Sequence, residues 1–114
     1  MTEIHPSSLG RFVRAIAVLA LPAEGQLAFL DSIGVPHNVD ELAWEFDDGR
    51  LLARQFVELQ WTSAVFRAKV DPLNALLDEM SGEEHAELWT ATALREAPEW
   101  ERVRLLAIEL LFSV

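Results

Sequence analysis

The sequence predicts an all-α domain, and three observations carry that expectation. Leu and Ala supply 33 of the 114 residues, whereas Ile, Val and Thr together supply 17. The first pair forms helices readily, and β-branched side chains lose rotamer freedom there. Apolar residues recur at helical spacing, and no segment shows a long period-two alternation bounded by turn signals. Helix start and stop residues punctuate the chain at helix-length intervals. The expected architecture is a compact single-domain bundle of six or seven short helices spanning residues 1–114, joined by short connections.

Each element has its own warrant. Ser7 or Ser8 caps a first helix whose inner positions are Leu9, Phe12, Val13, Ile16, Leu19 and Ala20. Pro22 ends it and opens a second helix, about Ala23 to Ile33, with Leu27, Leu30 and Ile33 inward; Gly34 then closes it and Pro36 prevents continuation. Asn38 with Glu41 reads as a capping-box variant for a third helix that buries Val39, Leu42, Ala43 and Phe46 and is broken or kinked at Asp47-Asp48-Gly49. A long fourth helix, about Arg50 to Lys69, is apolar on two faces and is therefore expected at the centre. Asp71-Pro72 is a start signal for a short helix carrying Leu73, Leu76, Leu77 and Met80. Ser81 with Glu84 is a second capping box, opening a helix through His85, Leu88 and Trp89. Thr92 or Pro98 restarts the chain into a last helix, about Glu99 to Phe112, that enters the core or meets a second copy.

The charge pattern points to a class of partner. There are 19 acids against 9 Lys and Arg, a net charge of −10. Nine of the acids fall between Asp71 and Glu101 with Arg95 as the only base, and five more fall between Asp40 and Asp48 with none. Such a field disfavours nucleic acid and anionic membrane surfaces, both of which select clustered Lys and Arg, and favours a basic protein. The absence of cysteine excludes disulfides, thiol catalysis and thiolate metal sites. The start of the chain, Met1 to Pro6, has neither the basic stretch nor the apolar run of a signal peptide. The longest apolar stretch, Val103 to Phe112, is too short for a bilayer, so a cytoplasmic protein is expected.

No catalytic, metal or cofactor motif emerges. Glu-x-x-His is missing, since Thr2, Gly34 and Gly82 stand three residues before His5, His37 and His85. Asp40 to Gly49 does not fit a calcium loop, because Trp44 and Phe46 occupy ligand positions. Glu83, Glu84 and Glu87 read as a solvated helix face. There is no Gly-x-Ser-x-Gly turn, no glycine-rich phosphate loop and no tyrosine. His85 leans toward Leu88 and Trp89 as a core-edge residue. No cofactor is expected, and the chain reads as a non-enzyme.

Trp44 is the exception to the core pattern. At about 100° per residue it falls off the stripe of Val39, Leu42, Ala43 and Phe46, among Asp40, Glu41, Asp47 and Asp48. An indole ringed by carboxylates is the composition of a contact patch, with an aromatic anchor and a charged rim. Arg104 is the converse, a base inside the apolar arc of the last helix, expected to find an intrachain acid or carbonyl. Phe12, Phe29, Phe56, Phe66, Trp61 and Trp89 are expected in the core.

The leading functional expectation is therefore a small acidic binding module, of the immunity-protein or antitoxin kind, that masks a basic surface of a partner protein through Asp40, Glu41, Trp44, Asp47 and Asp48. A helical bundle with a small-molecule pocket lined by Trp61, Trp89 and His85 is one alternative. A structural module that forms homodimers through the last helix is another.

Overall fold

The computed structural model describes residues 4–36 and 38–114, and no strand occurs among them. Met1–Glu3 and His37, which entered the reading of the chain's start and the metal-motif search, lie outside the described residues. The elements are α1 (Pro6–Ala20), α2 (Ala23–Ser32), α3 (Asp40–Arg50), α4 (Ala53–Glu58), α5 (Ala64–Glu79), a 3-10 helix (Glu83–Leu88), α6 (Ala91–Glu96) and α7 (Pro98–Leu111). The all-α expectation holds. The most extensive packing joins α1 to α3 and α7, and α5 to α7.

Phe12 on α1 is the hub of the core. Its ring lies 5.4 Å from Phe46 of α3, 6.3 Å from Phe56 of α4 and 5.9 Å edge-on from Phe66 of α5, all four side chains being buried. Edge-on and tilted pairs at these separations add to simple area burial. α3 can approach because Gly49 is buried directly beneath that ring, where a Cβ would overlap Phe12. Gly49 therefore does not break α3, as Asp47-Asp48-Gly49 suggested; the helix runs through to Arg50. The glycine is there for close packing.

Several boundaries differ from the sequence expectation. The long helix expected over Arg50 to Lys69 is interrupted between α4 and α5, and the break is made by Gln60 at φ 62°. Trp61 N–H donates to Phe56 O and Gln60 N–H to Val57 O, the paired bonds of a left-handed helix stop. The apolar contact that accompanies such a stop is present, with Trp61 stacked on Phe56 at 6.1 Å. Ser63 then starts α5, its hydroxyl accepting from Phe66 N–H at 3.1 Å. Asp71-Pro72 starts nothing, since Pro72 is inside α5. The carbonyl that loses its donor there belongs to Ala68, an exposed residue, where the loss is tolerable.

Neither capping box forms. α3 begins after Val39 with no side-chain cap, and Ser81 donates back to Leu77 O at 2.8 Å while the chain tightens into the 3-10 helix. Besides Ser63, the caps that do form are His5, whose Nδ1 accepts from Ser7 N–H at 3.1 Å in place of Ser7 or Ser8, and Thr90, which accepts from Ala93 N–H at 3.1 Å in place of Thr92. Gly34, with φ 81°, closes α2 as expected, and Pro98 opens α7. Ile33 is exposed and not inward; the buried residue on α2 besides Leu30 is Gln26.

Gln26 and Arg104 form a polar junction within the apolar interior. Gln26 Nε2 donates to Val18 O at 3.3 Å and Leu19 O at 3.1 Å, satisfying carbonyls at the end of α1. Its Oε1 accepts from Arg104 Nη2 at 3.0 Å, and the same guanidinium donates to Leu94 O on α6 and pairs with Glu101 at 3.5 Å. The expected carbonyl and acid are thus both found. Burial lowers the Arg104 pKa, with the nearby Glu101 charge opposing that shift. On the surface, Arg95 of α6 pairs with Glu24 of α2 at 2.6 Å and holds the Glu24 carboxyl below its usual range. That stabilisation is present at neutral pH and fades as pH falls through the depressed Glu24 pKa.

Candidate functional site

An open groove of about 540 Å³ lies between α3, the second half of α5 and the 3-10 helix. Phe46 and Leu77 form its floor. One wall is the outer flank of α3, with Asp40, Ala43, Trp44 and Asp47. The opposite wall carries Asn74 and Asp78 from α5, then Ser81, Gly82, Glu83, Ala86 and Trp89 from the 3-10 segment.

Two features give the groove a chemical character. Four carboxylates line it, from Asp40, Asp47, Asp78 and Glu83, and no Lys or Arg does. Arg50 reaches Asp47 from the rim at 2.6 Å, while Asp40, Asp78 and Glu83 have no salt-bridge partner among the described residues. Two tryptophans also line it. Trp44 is 55% exposed. Trp89 is fixed, its Nε1 donating to Met80 O at 2.7 Å and its ring standing edge-on to Trp100 at 5.3 Å. A concave surface with carboxylates beside indole faces offers both the ion pair and the cation–π contact that an Arg or Lys side chain uses.

The five residues singled out on sequence grounds divide across the crest of α3. Asp40, Trp44 and Asp47 border the groove together. Asp48 lines two other clefts, one with Arg11 and Arg14, the other with Ser8 and Leu52. Glu41 is half-buried and lines neither wall. Helical phase explains the split: residues four before and three after Trp44 lie on one flank, and those three before and four after lie on the other. The residues missed were Asp78, Glu83 and Trp89, which the sequence presented as solvated helix faces and core. The only signal for them was the density of acids after Asp71.

The three residues of the alternative pocket, Trp61, Trp89 and His85, do not line this groove together. Trp89 lines the groove, Trp61 lies on Phe56, and His85 sits half-buried in the 3-10 helix outside the groove lining. Among the described residues, no group of three or more His, Cys, Asp or Glu could hold a metal ion, and no helix is long and apolar enough to cross a membrane. No protein-family model matches this chain, and no curated protein or solved structure matches it significantly.

Proposed function

We propose that this chain is a non-enzymatic binding module that covers a basic surface of a partner protein, in the manner of an immunity protein or antitoxin, using the groove between α3, α5 and the 3-10 helix. The observation that carries the reading is the coincidence of an exposed Trp44 with four carboxylates and no base on one concave surface. Trp44 is the anchor, and Asp40, Asp78 and Glu83 are the charges free to meet Arg or Lys. The net charge of −10 steers a basic partner toward the molecule.

The test must separate this groove from charge in general. Titration calorimetry with an oligo-arginine peptide measures the affinity for the wild-type chain and for two charge-matched variants. One carries Asp40→Asn, Asp78→Asn and Glu83→Gln; the other carries Asp31→Asn, Glu58→Gln and Glu96→Gln. The groove variant, and Trp44→Ala alone, are expected to weaken binding about tenfold or more, and the control variant by much less. Equal losses in the two triple variants, or an affinity indifferent to salt, would refute the reading.

A further inference from the structure

A second surface lies on α7. The helix buries Trp100, Val103, Ala107 and Leu110 against the rest of the chain. Its outer side is not polar: Leu105 is 55% exposed, Ile108 38% and Phe112 87%. Arg102, Leu105, Glu109 and Phe112 follow one another at spacings of three, four and three, which aligns them along one seam, with Ile108 beside it. Ser63 Oγ donates to Ser113 O at 3.4 Å and holds the start of α5 beside the end of α7, so exposed Val65 lies at the same end of the molecule.

The order of charges along this seam selects the occupant. Arg102 and Glu109 are both exposed, and neither takes part in a salt bridge among the described residues. They stand seven residues apart, two helical turns, with Leu105 between them. A two-fold axis across the seam turns a second α7 antiparallel. Arg102 of one copy then comes beside Glu109 of the other, and the pair occurs twice. A parallel arrangement would set like charges together. The patch is thus complementary to itself, which is the requirement of an isologous interface.

Repulsion between two chains of charge −10 is the main opposing term. It is eased in part, because the block from Asp40 to Asp48 is on α3, which packs against α1 and α5, and of the block from Asp71 to Glu101 only Glu99 and Glu101 are on α7. We infer that the exposed face of α7 is a homodimer interface, in which two copies pair antiparallel through Leu105, Ile108 and Phe112 with reciprocal Arg102–Glu109 ion pairs. This does not rest on the groove, which remains open to its partner.

Sedimentation equilibrium over a rising concentration series tests it. The wild-type mass is expected to move from 12.8 kDa toward twice that value. Leu105→Glu should remain a monomer throughout with an unchanged helical circular dichroism spectrum. Arg102→Glu and Glu109→Arg, each placing like charges together, should weaken dimerisation about tenfold, and the double exchange should restore it. A wild-type chain still monomeric at millimolar concentration overturns the inference. So does a dimer indifferent to Leu105→Glu, or a double exchange no tighter than the single ones.

Discussion

Trp100 and Trp44 hold the same side chain in two regions built on different rules. Trp100 is fully buried, donates to Leu88 O at 2.6 Å and braces Trp89 edge-on. Trp44 is 55% exposed and has carboxylates for neighbours. The first region maximises contact, so a change of one methylene is felt there. The second leaves its aromatic surface and its charges unmatched, an arrangement that contributes little to folding and is available to something else. The difference shows that residue type does not decide the role of a tryptophan here. Helical phase does: Trp100 is in line with Val103, Ala107 and Leu110, whereas Trp44 is out of line with Leu42 and Phe46.

Substitutions sharpen the contrast. Trp100→Ala should cost about 3–5 kcal/mol in a urea melt, since it opens a cavity and leaves Leu88 O without its donor. That is a large fraction of the stability of a domain of this size. Gly49→Val forces Phe12 from the centre of four packed aromatics and should cost about 1–3 kcal/mol, with α1 and α3 displaced. Trp44→Ala should leave stability within about 0.5 kcal/mol of wild type while abolishing most peptide binding. If Trp44→Ala were as damaging to folding as Trp100→Ala, the two regions would not differ as described.

Those two rules also mark how far the sequence could be read. Periodicity located α1, α2, the core of α3 and α7, because burial of one face leaves a pattern in the residues themselves. It ran α4 and α5 together, because the break depends on Gln60 adopting a left-handed conformation that no glycine announces; the deciding contact, Trp61 on Phe56, is tertiary. Pro72 misled in the opposite sense, since an exposed position makes an interior proline tolerable. In the site, Asp40, Trp44 and Asp47 were legible from one helix alone. Asp78 and Glu83 were not, since only the folding of α5 against α3 brings them across the groove.

Arg104 has a consequence beyond its hydrogen bonds. The interior that α7 meets is mostly leucine, alanine and phenylalanine, and a slip of α7 by one turn, about 5.4 Å, would still lay apolar side chains on apolar side chains. It would also carry the guanidinium away from Gln26 and Leu94 and strand a charge that is 11% exposed. Arg104 thus acts as an indexing pin. It sets the axial register of α7 against the core, and so the height at which the outward seam is presented.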